Sequence, residues 1–135
     1  MDFRRARTRH LRLGRRGENA ACRYLRDCGG EILLRNYRSP AGEIDIIARD
    51  GLTLCFVEVK SRRASAAARP AANLSRRQQR RIRRAALTYL REIGRPHLPW
   101  RFDLVEVVFG PWDVRELRHW PHHFSGRREE GTQWH

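Results

Sequence analysis

Lysine is nearly missing from this chain. Lys60 is the only one, although Lys and Arg together number 29 against 15 Asp and Glu, for a net charge of +14. Arginine keeps its charge in a planar fork, whereas lysine is a compact ammonium whose pKa moves with its surroundings. A chain that writes every other cation as Arg makes its single Lys a residue to account for. Cysteine is scarce too. Cys22, Cys28 and Cys55 show no C-x-x-C spacing. An odd count in apolar patterns predicts reduced, buried thiols in a cytoplasmic protein rather than a disulfide framework. No apolar run approaches the ~20 residues of a membrane span. The basic start, residues 1–12, lacks the apolar core and cleavage site of a signal peptide. Internal repeats and Gly-rich phosphate loops are missing as well.

What is present points elsewhere. A length of 135 residues predicts one domain with a modest core and no need of a structural metal. The cationic excess predicts a polyanionic partner. Nucleic acid comes first and an anionic membrane surface second; solubility with an arginine bias is the plain alternative.

Residues 1–13 read as a basic flexible arm, 14–124 as the folded domain and 125–135 as a polar tail. Residues 14–29 read as a helix whose buried stripe is Ala21, Tyr24, Leu25 and Cys28, stopped by Gly29-Gly30. Glu18 lies one turn before that stripe, on the buried side or its edge; a first-turn Glu favoured by the helix dipole is the plainer alternative. Residues 31–37 read as a strand. Residues 61–74 read as a mobile loop. Residues 75–93 read as the longest helix, capped by Ser75, with Ile82, Ala85, Ala86, Tyr89, Leu90 and Ile93 inward. Arg76, Arg77, Arg80, Arg81, Arg83 and Arg84 crowd its first half. So many like charges repel, which favours a phosphate-facing role over a merely solvated face. Gln79, three before Ile82, reaches inward or is simply an exposed helix former. Residues 101–109 form a strand, so strand–helix–strand reads as a crossover unit. Residues 114–120 add an edge strand. His119, His122 and His123 lack partner ligands, so a metal is the weaker reading there.

The densest signal lies between, over residues 42–60. Two apolar runs flank Asp50-Gly51, a dipeptide that predicts a two-residue hairpin with positive φ at both turn positions. Glu43 and Asp45 share one strand face, and Glu58 and Lys60 share another. A carboxylate inside an apolar strand is costly unless paired or bound to metal. Phosphodiester hydrolysis needs a metal, a nucleophilic water and alignment. Mg²⁺ takes hard oxygen ligands, which Asp45, Glu58 and the Val59 carbonyl supply. Glu43 is a candidate for a second metal or for orienting a ligand. Lys60 can hold or help deprotonate the attacking water. A lone Glu-x-Lys is usually just a salt bridge, but charged pairs on both strands of one apolar hairpin are hard to explain by stability.

These residues resemble a known family. Asp45 with Glu58-Val59-Lys60 is similar to the PD-(D/E)xK pattern of the restriction-endonuclease-like fold, shared by restriction enzymes and Holliday-junction resolvases. The resemblance is closest to the YraN family of small bacterial endonuclease-like proteins. Gly14-x-x-Gly17-Glu18-x-x-Ala21, Asn36-Tyr37-Arg38, Gly42-Glu43-Ile44-Asp45, Phe56-Val57-Glu58-Val59-Lys60-x-Arg62 and Arg101-Phe102-Asp103 carry it, in order. Proline stands at Pro40, five before Asp45, so the literal Pro-Asp pair is absent. The resemblance implies an α/β fold of order α-β-β-β-α-β, a mixed sheet flanked by helices. It implies Asp45 and Glu58 as metal ligands, Lys60 as the catalytic lysine, Glu18 as the extra acid of resolvase-like members and Gln79 as a supporting site residue.

The expected function is therefore a Mg²⁺- or Mn²⁺-dependent endonuclease acting on DNA, branched or damaged DNA included. Arg62, Arg63, Arg76, Arg77, Arg80, Arg81 and Arg84 are the expected backbone contacts. RNA stays open as a ligand, and so does a homodimer, since paired cuts need two sites. The rival expectation is a catalytically silent nucleic-acid-binding module of the same fold.

Overall fold

The computed structural model of the chain describes residues 3–64, 74–94 and 97–124. The element order is α1 (Phe3–Asp27), β1 (Glu31–Ser39), β2 (Gly42–Asp50), β3 (Thr53–Arg63), α2 (Arg76–Glu92), β4 (Trp100–Phe109) and β5 (Val114–Phe124). This is the order the sequence predicts, with the edge strand present. The central part of the 61–74 loop and the 125–135 tail lie outside the described residues.

The five strands form one mixed sheet in sequence order. β1–β2, β2–β3 and β4–β5 pair antiparallel. β3 and β4 pair parallel, so the chain must cross over through α2 between them. A parallel pair in the middle of a sheet is covered on both faces, and each face carries its own core. On one side Ile82, Ala85, Ala86 and Leu90 of α2 pack on Tyr37, Ile44, Ile47, Phe56, Phe102 and Leu104. On the other, Ala21, Cys22 and Leu25 of α1 pack on Ile46, Ala48, Val57, Val105 and Val107. The result is an α/β/α sandwich of the restriction-endonuclease-like kind.

Several local expectations change. α1 begins at Phe3, so the helix takes in most of the basic arm. Its buried stripe is Ala21, Cys22 and Leu25, not one ending in Cys28, which is exposed. Cys22 and Cys28 stand roughly 120° apart on the helical wheel, and Cys28 lies past the end of α1 at Asp27, so only Cys22 meets the sheet. The hairpin turn is also shifted by one residue. Asp50 still pairs with Thr53, which leaves Gly51-Leu52 as the turn. Only Gly51, at φ 61°, has positive φ. Glycine in the first turn position is the II′ arrangement rather than I′. Ser75 caps α2 as expected, completing a capping box with Gln78. Ile93, expected inward, is the exposed C-cap of α2.

Two glycines set the distance between layers. A Cβ on Gly42 would stand 2.7 Å from the Arg81 carbonyl oxygen, and one on Gly17 would stand 1.8 Å from Ser61 Oγ. The first contact is with helix backbone, which cannot swing aside. Gly42→Ala is therefore expected to lower stability by about 1–3 kcal/mol through overpacking, measured as a shift in denaturation midpoint. An unchanged midpoint would show that α2 does not rest on β2 at this point.

Candidate active site

The β2–β3 ladder runs from Asp50↔Thr53 to Ile46↔Val57 and stops there. The next pair would be Asp45 with Glu58. Instead the Asp45 side chain accepts a hydrogen bond from the Val59 N–H at 2.8 Å. A carboxylate thus replaces a backbone carbonyl, and the two strands part. The change shows in the packing as well: Ile46 lies in the α1-side core, whereas Ile44 lies in the α2-side core. The strand turns over across Asp45.

Into the parting come Asp45, Glu58 and Lys60. Lys60 Nζ lies 3.8 Å from Glu58 Oε1. The Glu58 side chain is only 20 % exposed. Burial, then the charge of Asp45, pushes the Glu58 carboxyl up to about 8, against which Lys60 pulls it down. Burial also raises Asp45, although the Val59 N–H and a hydrogen bond with Glu58 oppose this. With its carboxyl raised to about 8, Glu58 keeps a proton at neutral pH that it can donate to Asp45. Two carboxylates so placed cannot both ionise without a counter-charge.

A cleft of about 140 Å³ opens beside them, lined by Glu43, Asp45, Glu58, Gln78, Arg81 and Ile82. Glu43 lies at its rim, 65 % exposed and 3.8 Å from the Arg38 guanidinium. Glu18 approaches from α1. Burial and the Asp45 charge raise its carboxyl, countered by Asn36 and Arg35. The structure therefore brings Glu18, Glu43, Asp45, Glu58 and Lys60 together. It places Gln79 elsewhere: its amide donates to the Leu74 carbonyl, and Gln78 faces the cleft. Both precede Ile82 on the wheel, at i−3 and i−4, so spacing alone does not separate them.

The arginines divide. Arg76, Arg77, Arg80, Arg81 and Arg84 are exposed along α2, and Arg81 reaches the cleft. Arg62 is withdrawn: its Nε is 3.5 Å from Glu106, a buried carboxylate that also faces Arg118. Asn36 and Arg35 were missed as site residues. Asn36 adopts φ 54°, a left-handed conformation for which Asn is enriched, and this aims it at Glu18.

The histidines serve structure. His119 Nε2 bonds buried Asp103 at 2.9 Å and its Nδ1 meets the Tyr24 hydroxyl at 3.0 Å. The His123 side chain lies outside the described residues. Among the described residues, no three His, Cys, Asp or Glu side chains form a metal cage. No described helix is long and apolar enough to cross a membrane.

A mixed sheet between helices, with Asp45 and Glu58-x-Lys60 on two parting strands, defines a domain of the PD-(D/E)xK class. Residues 17–107 match the family described as "Uncharacterised protein family UPF0102", and the chain belongs to that family. It is 51% identical over 94 residues to a UPF0102 protein of Desulfosudis oleivorans, covering 70% of this chain and 76% of that one. A UPF0102 protein of Chlorobaculum parvum is 45% identical over 106 residues, covering 78% and 82%. One of Rhodococcus jostii is 44% identical over 110 residues, covering 82% and 93%.

Proposed function

We propose that this protein hydrolyses DNA phosphodiester bonds at the Asp45–Glu58–Lys60 cleft, with a divalent cation bound there. The observation that carries the reading is the half-buried carboxylate pair Asp45 and Glu58 on two parting strands, with the chain's only lysine 3.8 Å from Glu58. A pair held in this way is unfavourable for stability on its own, and a cation in the cleft would relieve it. The donors are all oxygen, which suits a hard ion. Two carboxylates without a full cage suit Mg²⁺ or Mn²⁺, since Mg²⁺ keeps several of its waters. Asp45, Glu58 and the Val59 carbonyl would hold the ion, with Glu18 and Glu43 flanking. When bound, such an ion offsets the negative charge that builds on the phosphate and lowers the pKa of water.

The chain's own part follows from its geometry. Asp45 is fixed by the Val59 N–H, so its carboxylate does not wander. Lys60 is tethered to Glu58 on the same strand face, where its ammonium can orient the attacking water and steady the phosphate oxygen. Arg81 reaches the cleft, and with the other exposed arginines of α2 it would grip the backbone without reading bases. Branched or damaged DNA is the substrate class we favour, because backbone contacts alone select for shape rather than sequence.

The test is a cleavage screen on linear, nicked, flapped and four-way DNA, with Mg²⁺, with Mn²⁺ and with chelator. Lys60→Ala is expected to lower the metal-dependent rate about a hundredfold or more while leaving duplex affinity intact. Lys60→Arg should not restore it, because the planar fork cannot replace a point charge. Cleavage that survives chelation or the Lys60→Ala change would reject the reading. Duplex affinity itself should fall with salt at a log–log slope of about −0.9 per phosphate contacted.

The scarcity of ligands favours one alternative. A cleft whose carboxylates form no closed cage among the described residues also suits a module that binds DNA without cutting it. That module would show the same salt slope and no turnover with either metal.

A further inference from the structure

We propose that a second site, at the C-terminal ends of β3 and β4, takes one unpaired nucleotide of the DNA strand held at the Asp45 cleft. This rests on the reading of that cleft as a DNA-cleaving site. A pocket of about 420 Å³ is lined there by Arg63, Ala64, Phe109, Gly110, Pro111 and Arg115. Its chemistry suits a nucleotide: Ala64, Gly110 and Pro111 give it apolar walls, and Arg63 and Arg115 bring guanidinium groups for phosphate. The pocket is firmly built. Arg63 and Phe109 are register partners on the parallel strands. The Ala64 N–H donates to the Phe109 carbonyl at 2.8 Å, and the Gly110 N–H donates to the Asp113 carbonyl at 2.8 Å, closing the β4–β5 turn. Phe109 itself is buried, with the Arg16 guanidinium 4.7 Å over its ring, so it backs the pocket rather than offering a stacking face.

Two further observations point to an occupant. Trp112, at the tip of that turn beside Pro111, is 91 % exposed. A large indole left in water covers nothing in this fold, and it offers the π-face on which a base stacks. Arg63 and Arg115 take part in no salt bridge among the described residues, whereas the neighbouring Arg62 and Arg118 both face Glu106. Two such cations beside an exposed indole complement a phosphate and its base rather than a basic or apolar peptide.

Position explains why the nucleotide is unpaired. Arg63 stands three residues beyond Lys60, about 10 Å along β3. An odd spacing puts the two on opposite faces, so a strand running from Lys60 to the pocket must bend around the end of the sheet. Duplex DNA, with a persistence length of about 150 bp, resists such a turn. A single strand makes it freely. The pocket would thus select DNA that carries a flap, gap or junction next to the bond at the cleft.

The experiment is binding without turnover, by fluorescence anisotropy in metal-free buffer at fixed salt. The probes are a blunt duplex and the same duplex with a short single-stranded flap, carrying 2-aminopurine as the first unpaired base. The flap should bind about tenfold tighter than the blunt duplex, the scale of one base stacked on an aromatic ring, and 2-aminopurine emission should be quenched on binding. Trp112→Ala should abolish both the preference and the quenching, with blunt-duplex affinity unchanged. The double change Arg63→Ala with Arg115→Ala should also remove the preference. Trp112 lies in a surface turn, so its loss does not threaten the fold. A wild type without flap preference, or a Trp112→Ala variant that keeps it, overturns the proposal. The two readings fail separately. Flap preference lost in Trp112→Ala without any metal-dependent cleavage would remove the nuclease reading alone. Lys60-dependent cleavage with a Trp112→Ala variant that still prefers the flap would remove the pocket alone.

Discussion

Glu58→Gln is expected to make the metal-free protein more stable at pH 8.5 and to lower its metal-dependent cleavage by about two orders of magnitude or more. Both effects have one cause. Burial raises the Glu58 carboxyl from 4.5 to about 8, so the unfolded chain gives up this proton long before the folded one does. A raised carboxyl works against folding as pH rises: stability is greatest below 4.5, falls between 4.5 and about 8, and is flat above. A Gln amide can donate to Asp45 as the neutral Glu58 does, and it has no proton to lose. Glu58→Gln should therefore match the wild type near pH 4.5 and exceed it at pH 8.5 by about 2 kcal/mol, a full shift of this size being discounted for partial exposure and the nearby lysine. Saturating Mg²⁺ should reverse the order, because binding to the folded state stabilises it by mass action, and only the wild type can offer both carboxylates. Metal affinity should rise with pH up to about 8, since the ion displaces the Glu58 proton. Thermal melts at both pH values, with and without Mg²⁺, give all of this. A Glu58→Gln protein less stable than the wild type at pH 8.5 without metal, or stabilised equally by Mg²⁺, would rule out this account of Glu58.

The parts of this architecture that the sequence announces are the local ones. Period-two alternation marks Glu43 with Asp45 and Glu58 with Lys60, and charge inside apolar runs marks them as functional. The capping box of α2 and the parallel crossover are also written in neighbouring residues. The unannounced parts depend on which face a neighbour occupies. Asp50-Gly51 looks like the turn, yet pairing of Asp50 with Thr53 moves it to Gly51-Leu52. Gln78 and Gln79 are equivalent until α2 is set down on the sheet. Gly17 and Gly42 stand in the motifs as unexplained glycines, and only the close approach of Ser61 and of the Arg81 carbonyl gives their reason. Each precedes a site carboxylate, Glu18 or Asp45, so close layer packing and the site are set by the same short segments.

Asp103 is the clearest case of a motif residue whose role is structural, and its replacement should give the largest loss of stability in the chain. It lies in the middle of β4 with a side chain 0% exposed. Arg101 Nε donates to both its oxygens, at 3.1 and 3.3 Å, and the His122 N–H donates at 3.2 Å. His119 Nε2, at 2.9 Å, must carry the proton toward an ionised Asp103, which leaves Nδ1 to accept from the Tyr24 hydroxyl. One carboxylate thereby ties β5 and α1 to the sheet. Burial alone would raise its pKa; the His119 hydrogen bond, the Arg101 charge and the His122 N–H together outweigh it and hold it below 3.8. Asp103→Ala would leave Arg101 Nε, an imidazole and a backbone N–H without this acceptor, and Arg101 would keep its 3.4 Å contact with Asp50. Breaking a buried charged pair in this way costs about 3–5 kcal/mol, a large share of the ~5–15 kcal/mol that holds a typical domain. Asp103→Asn keeps the shape and should lose less. The sign with pH is opposite to that at Glu58. A depressed carboxyl contributes stability that is complete above 3.8 and is lost as pH falls through its folded value. The wild-type acid limb should therefore steepen below about pH 4, and the Asp103→Ala limb should be flatter over the same range. Urea melts from pH 3 to pH 7 measure both. An Asp103→Ala protein within 1 kcal/mol of the wild type at pH 7 would mean that the clasp joining β4, β5 and α1 contributes nothing, and that this part of the motif has a role outside the fold.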